Sequence, residues 1–293
     1  MKHQIINNDL KKFTINFNKF LKKKISKDKN LLNQAILYSI NTGGKRFRPY
    51  LVYIFGKELN LSNGVILNLA SAIEMLHNYS LVHDDLPSMD DDNLRRGQLT
   101  IHKNWNEATA ILVGDALQSL GFEALSGHKF KVTDKVKNKL ILSLAKNSGA
   151  SGMVLGQALD IDAETSQKEL KINEISKIQE YKTGKLISWS CEVGPIIAEE
   201  NTDPFSLYAA KIGLAFQIID DILDVTSSLK TLGKNVGKDM DKNKATFVSK
   251  LGLDNSKKKA LELVAEACDA ISGFKDRSRN LCQIANFIVS RQF

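Results

Sequence analysis

The stretch Ile212-Gly213-Leu214-Ala215-Phe216-Gln217-Ile218-Ile219-Asp220-Asp221-Ile222-Leu223-Asp224-Val225 decides how the chain reads. Its apolar residues fall on nearly every face of a 3.6-residue repeat, the pattern of a helix packed on all sides. Three aspartates are set into it: Asp220, Asp221 and Asp224. Residues four apart share a helical face, so Asp220 and Asp224 point the same way. Like charges at that spacing oppose each other by about 0.2–0.5 kcal/mol even in solvent. Among Phe216, Ile218, Ile219, Ile222 and Leu223 the penalty rises, because a buried charge is costly unless it is neutralised. An N-cap aspartate is the plain alternative, but apolar helix runs on both sides of this cluster. A bound cation fits better.

A second helix of the same kind spans 64–83, with Val65, Ile66, Leu69, Ala72, Ile73 and Leu76 spread around it. It runs into His83-Asp84-Asp85-Leu86-Pro87-Ser88-Met89-Asp90-Asp91-Asp92. Pro87 should stop the helix. That leaves Asp84 and Asp85 at a helix C-terminus, where the dipole is already negative and a cation would reverse the penalty. Asp90 follows in a turn. A solvated acidic loop is the bland reading, and the spacing of an EF-hand is absent. Donors that are all oxygen favour Mg²⁺, Mn²⁺ or Ca²⁺, and Mg²⁺ takes one or two carboxylates while phosphate oxygens complete its shell. Two such clusters suggest a clamp for a diphosphate.

Further helices are expected over 106–125, 137–148, 172–192 and 257–271, and alternating strand patterns are hard to find. The fold class is therefore all-α, with no linker, repeat or low-complexity tract. Two segments read as loops. One is 41–48, where Gly43-Gly44-Lys45-Arg46-Phe47-Arg48 precedes Pro49. Proline suits a first helical turn, so Lys45, Arg46 and Arg48 gather at a helix N-terminus, where backbone N–H groups attract anions. The other is 227–244, polar and lysine-rich with Gly233 and Gly237, which reads as a lid. His77 precedes Asp84 by seven residues and falls on nearly the same face. Glu74-x-x-His77 is half of a di-iron bundle signature, but the required second copy does not occur. Gln217 shares the Asp220 face; Lys182-Thr183, Lys234 and Lys244 carry no signal by position alone.

Composition narrows the function classes. The chain has 293 residues and a net charge of +8, mostly from lysine. A basic balance suits an acidic partner, yet most of these lysines read as solvated helix surface. No basic stripe interleaved with aromatics appears, so nucleic-acid binding is not expected. Cys191, Cys268 and Cys282 have neither zinc spacing nor a disulfide pattern. No signal core and no apolar run of spanning length is present, so no membrane insertion and a reduced, cytoplasmic setting are expected.

The ordered motifs carry a resemblance. Gly-Gly-Lys-Arg-Phe-Arg-Pro (43–49), the aspartate run 83–92, Leu-Arg-Arg-Gly (94–97), Gly-Asp-Ala-Leu-Gln (114–118), Gly-Gln-Ala-Leu-Asp (156–160), Lys-Thr-Gly (182–184) and the stretch 213–224 together resemble the trans-prenyltransferases, or polyprenyl diphosphate synthases. The likeness runs from 41 to 253 and is nearest to the bacterial farnesyl type. It implies a single polyprenyl synthetase domain over 1–293, an all-helical isoprenoid-synthase bundle with the two aspartate motifs facing across a central cavity, and a homodimer. It implies condensation of isopentenyl diphosphate with dimethylallyl or geranyl diphosphate to give farnesyl diphosphate; geranylgeranyl diphosphate synthase and a catalytically silent subunit are the alternatives. Three Mg²⁺ ions would bridge Asp84, Asp90 and Asp220 to the allylic diphosphate, with Asp85, Asp221 and Asp224 in support. Arg95 would hold that diphosphate. Lys45, Arg48, His77 and Arg96 would hold isopentenyl diphosphate. Lys182, Thr183 and Gln217 would face the allylic cation, and Lys234 and Lys244 would close over the diphosphate. An aromatic residue at Tyr79, five before Asp84, would set product length, with Ser80 beside it. The chain departs from the pattern around Lys244, which stands in Asn-Lys-Ala-Thr-Phe where the family often has Gly-Lys-Ser/Thr-Thr-Tyr, and it matches weakly after 253.

Overall fold

The computed structural model describes residues 2–25, 27–166, 169–226, 245–274 and 276–290. Among them the fold is helical, as the periodicity predicts, and the chain packs as two compact units, residues 7–141 and residues 142–293 with 1–6.

The unit of 7–141 is built on α4 (Asn63–Asp84), after α1 (Lys2–Lys22), α2 (Leu31–Asn41) and α3 (Phe47–Glu58). Ser62 starts α4 by accepting a hydrogen bond from the Val65 N–H, which satisfies one of the donors a helix start leaves open. Leu69, Ala72, Ile73 and Leu76 are fully buried, so the helix is enclosed on several faces. It ends at Asp84, three residues before Pro87. Next come two short strands, β1 (Leu94–Arg95) and β2 (Gln98–Leu99), then α5 (Ile101–Asn104), α6 (Glu107–Ser126) and α7 (Asp134–Ser148). The hairpin has no counterpart in the sequence reading. Its turn is Arg96-Gly97, both at positive φ (53° and 76°), the geometry that suits a two-residue hairpin. Strands of two residues are too short to show alternation.

One buried ion pair holds the loop before α3. Arg46 caps that helix in a left-handed conformation, φ 48°. Its guanidinium turns inward to an ion pair with Glu74, and donates to Asn18 Oδ1 at 2.9 Å and to the Ile40 carbonyl at 2.6 Å. Asn78 donates to the same Glu74 oxygen at 2.9 Å. Glu74 thus pairs with Arg46 and Asn78 rather than with His77 as a metal ligand. Arg46 belongs to the scaffold, and not to the anion-attracting basic group at the helix N-terminus that the sequence suggested.

The unit of 142–293 contains α8 (Met153–Thr165), α9 (Ile172–Gln179), α10 (Lys185–Ala198) and α11 (Asp203–Thr226), followed by helices Phe247–Leu251, Leu253–Ala270 and Asp276–Val289. Where one helix was expected over 172–192, α9 and α10 are separated by a π-helical turn, Glu180–Gly184. Such turns are rare and concentrate at functional sites. Here the backbones come close. A Cβ on Gly156 of α8 would lie 2.5 Å from Lys182 Cα, and one on Gly213 of α11 would lie 3.2 Å from Gly184 Cα. The glycines at 156 and 213 let two helices close on the wide turn. Trp189 and Tyr208 fill the interior, and the Tyr208 hydroxyl donates to the Leu281 carbonyl at 2.8 Å.

Removing one partner of a buried pair strands the other charge. Glu74→Ala is expected to lower unfolding free energy by about 3–5 kcal/mol, read by urea denaturation. The double replacement Arg46→Met with Glu74→Leu should recover most of that loss. A loss under about 1 kcal/mol in the single variant would contradict the role given to this pair.

Candidate active site

In the unit of 7–141 the acidic cluster is a loop folded back on the end of α4. The Asp90 N–H donates to the Asp84 carbonyl at 2.9 Å, Asp91 to Leu86 at 3.1 Å and Asp92 to Asp85 at 3.2 Å. Asp91 adopts φ 48° to make the bend. Asp84 and Asp90 are half-buried, while Asp85 is buried. Both Nε and Nη2 of Arg95 reach Asp85 Oδ1, the first at 2.8 Å, and Nη2 lies 3.5 Å from Asp92. Burial pushes the Asp85 carboxyl above its usual range, and the Arg95 hydrogen bond opposes it. Two residues expected to serve substrate and metal separately therefore hold each other.

The basic residues gather beside this loop's own helix. Gly43 and Gly44 stand at φ 85° and 125°, a region open to glycine and strained for other residues. Arg96 donates to the Gly43 carbonyl. A Cβ on Gly44 would fall 2.5 Å from the Arg96 guanidinium carbon, so a side chain there would be strained by its φ and would also displace the Arg96 head group. Lys45 is exposed. Arg48, in the first turn of α3, places Nη1 3.5 Å from His77 Nε2. Burial holds the His77 imidazole well below its ordinary pKa, helped by the positive charges of Arg48, Arg96, Arg46 and Arg95. The ring is neutral, and Nε2 is available to accept from Arg48. Arg48, His77 and Arg96 form one electrostatic group that suits an anion.

Three further contacts fix the end of α4. Tyr79 is buried and edge-on to His83, ring centres 5.8 Å apart, whereas Ser80 is half-buried and donates to the His77 carbonyl at 3.0 Å. His83 Nε2 lies 3.1 Å from the Ile111 carbonyl of α6. It occupies the space that a Cβ on Gly114 would need. The glycine of the 114–118 motif thus lets the residue before the aspartates seat against α6.

In the unit of 142–293 a chain of hydrogen bonds runs through α11. Thr183 donates to Gln217 Oε1 at 3.3 Å, and Gln217 Nε2 donates to Asp221 at 2.9 Å. The other Asp221 oxygen accepts the Phe247 N–H at 3.0 Å, which ties the helix Phe247–Leu251 to α11. Asp221 is buried, while Asp220 and Asp224 are half-buried. Lys182 Nζ lies 2.5 Å from Asp160 Oδ2. Asp160 closes the 156–160 motif, and sequence reasoning gave it no role; its spacing to Gly156, four residues and so one helical face, is the signal that places both against the π-turn. Lys234 and Lys244 lie outside the described residues, as does the rest of the expected lid.

Among the described residues no three His, Cys, Asp or Glu side chains converge to hold an ion unaided. Asp224 Oδ2 is buried and has no hydrogen-bond partner among the described residues. All donors are carboxylate oxygens. This fits Mg²⁺, which binds one or two carboxylates and takes its remaining oxygens from water and phosphate.

A family model described as polyprenyl synthetase matches residues 29–280. A farnesyl diphosphate synthase from Haemophilus influenzae is 42% identical over 266 residues, 89% of each chain. One from Escherichia coli is 41% identical over 266 residues, 88% of each. Among solved structures, an FPP/GFPP synthase from Zymomonas mobilis superposes with TM-score 0.87 at 37% identity, covering 98% of this chain and 99% of its own. A geranyltransferase from Helicobacter pylori, complexed with magnesium and isoprenyl diphosphate, superposes at 0.83 with 33% identity, covering 97% and 96%. The chain belongs to the polyprenyl synthetase family and has the isoprenoid synthase fold.

The neutral state of His77 has a consequence for stability. Its folded pKa lies below the ordinary value of about 6.5, so below that pH the unfolded chain takes up a proton that the fold refuses. Stability should fall as pH drops through about 6.5, by up to about 1.4 kcal/mol per pH unit. Urea unfolding at pH 7, 6 and 5 reads this. His77→Asn should flatten the decline, and an unchanged slope would contradict it.

Proposed function

We propose that the protein is a Mg²⁺-dependent farnesyl diphosphate synthase, joining isopentenyl diphosphate to dimethylallyl and then geranyl diphosphate. One observation carries this reading: curated relatives with that name span nearly the whole chain. The residues that such a reaction needs support it.

In this reading Lys45, Arg48, His77 and Arg96 bind the diphosphate of isopentenyl diphosphate. The glycines at 43 and 44 and the buried Arg46–Glu74 pair keep that group in place. Arg95 binds the allylic diphosphate, Lys234 and Lys244 close over it, and Lys182 faces the allylic cation with Thr183 and Gln217. Asp84, Asp85, Asp90, Asp220, Asp221 and Asp224 serve its magnesium, up to three ions. Magnesium supplies, when bound, charge stabilisation of the departing diphosphate. Asp85 and Asp221 serve it indirectly, in support: each also holds a protein partner, Arg95 or Gln217, in place.

The chemistry follows from those roles. The allylic C–O bond breaks, its electron pair leaves on the diphosphate, and the basic side chains stabilise that charge. Thr183 Oγ1 and Gln217 Oε1 offer negative dipole ends to the allylic cation, and apolar walls exclude water from it. The double bond of isopentenyl diphosphate supplies the electrons of the new C–C bond. A proton then leaves to the released diphosphate, and no protein nucleophile takes part. Tyr79, buried one and a half turns before Asp84, limits the tail to fifteen carbons.

We further propose that the chain acts as one polyprenyl synthetase domain over 1–293, pairs as a homodimer and works in the cytoplasm. No described helix is long and apolar enough to cross a membrane.

Incubation with isopentenyl diphosphate, each allylic starter and Mg²⁺, followed by measurement of product carbon number, tests the proposal. A fifteen-carbon product is expected, lengthened in Tyr79→Ala. A twenty-carbon product from the unaltered protein would favour a geranylgeranyl diphosphate synthase, and no turnover at all would favour a silent subunit.

A further inference from the structure

The net charge of this chain is +8, and its first thirty residues hold nearly all of it: nine lysines stand there against Asp9 and Asp28, a balance of +7. The remainder of the molecule is close to neutral. Such asymmetry points to an anionic partner for the charged segment.

The structure arranges much of this charge on one surface. In α1, Phe13, Phe17 and Leu21 are buried. On the opposite side Lys11, Lys12, Ile15, Asn16, Lys19, Lys22 and Lys23 are all exposed. At 100° per residue these seven fall within an arc of about 140°. The five lysines of this face form no ion pair with a described carboxylate. Asp9 is turned to the Tyr50 hydroxyl at 2.9 Å. Lys24 bends inward to Asn68 at 2.5 Å and takes no part. Lys27 and Lys29 follow, both exposed.

A simpler account covers part of the stripe. Lysines in a last helical turn complement the dipole, which explains Lys19, Lys22 and Lys23. It does not explain Lys11 and Lys12 in the middle, nor Ile15, which is 57% exposed between them and Lys19.

We propose that this face of α1 is a docking surface for an anionic lipid bilayer. Lysine is a hydrated point charge, suited to a smeared negative surface potential. Four of them on one amphipathic helix, with Lys23 just past its end and Lys27 and Lys29 following, match the pattern of peripheral lipid binding. Ile15, set in the centre, supplies an apolar contact at the headgroup boundary. Nucleic acid is the less suitable partner, because the face carries no arginine fork for phosphates and no aromatic for base stacking. The association is peripheral and reversible, and leaves the helix packed on its own core.

Co-sedimentation with vesicles tests this. The probes are phosphatidylcholine alone and phosphatidylcholine with about one-third phosphatidylglycerol, at about 50 mM and about 500 mM salt. The intact protein is expected on the anionic vesicles at low salt, at least tenfold more tightly than on the zwitterionic ones, and released at high salt. Replacing Lys11, Lys12, Lys19, Lys22 and Lys23 by Gln should abolish binding while circular dichroism and thermal midpoint stay unchanged, and each single Lys→Gln should weaken it about fivefold. Failure of the intact protein to bind anionic vesicles would overturn the proposal, whatever the variants do. So would equal binding by the folded fivefold variant, or displacement from vesicles by a lower concentration of duplex nucleic acid than of competing anionic lipid.

Discussion

A carboxylate carried into apolar packing has to be neutralised, and the chain meets that constraint separately in each unit. In residues 7–141 the cation is Arg95, whose guanidinium holds the buried Asp85. In residues 142–293 the buried Asp221 accepts an amide N–H from Gln217 and a backbone N–H from Phe247. In both cases the neutralised aspartate is the second of an adjacent pair, and the first, Asp84 or Asp220, remains half-buried. In each cluster the inner aspartate ties together the secondary structure around it, which leaves the outer ones for the metal role proposed above.

Backbone geometry supports this division. Positive φ is concentrated where charge is handled: Gly43, Gly44 and Arg46 before α3, Asp91 in the acidic loop, Arg96 and Gly97 in the hairpin turn. Non-glycine residues in that region carry strain that the surroundings must offset. For Arg46 the offset is visible in Glu74, Asn18 and the Ile40 carbonyl. The π-helical turn at 180–184 plays the equivalent part in the other unit. It widens the helix at Lys182 and Thr183, and glycines 156 and 213 let the flanking helices close on it.

Much of the fold was legible because long apolar helices have a strong period. The helices expected at 64–83 and 106–125 lie within a few residues of Asn63–Asp84 and Glu107–Ser126, and the apolar stretch 212–225 lies inside Asp203–Thr226. The break in 172–192 was not legible, since one extra residue in a turn leaves no mark on composition. Arg46 was grouped with its neighbours because a sequence does not say which of several adjacent basic residues turns inward; a left-handed cap decided that. Asp160 and Gly114 sat in quoted motifs without a physical role, because the partners that explain them, Lys182 and His83, are distant in the chain. What the sequence did convey at the site was chemical type: oxygen donors in apolar helices, and basic residues beside a Gly-Gly turn.

The central proposal is that the aspartates of the two motifs serve a single diphosphate. Groups that act as a unit give strongly non-additive losses when removed, so the direct test is a double-mutant cycle on turnover with saturating Mg²⁺. Asp84→Ala and Asp220→Ala are each expected to lower turnover by about a thousandfold or more, with the double variant scarcely worse than either. Near-normal turnover in either single variant, or losses that multiply fully in the double one, would contradict the account.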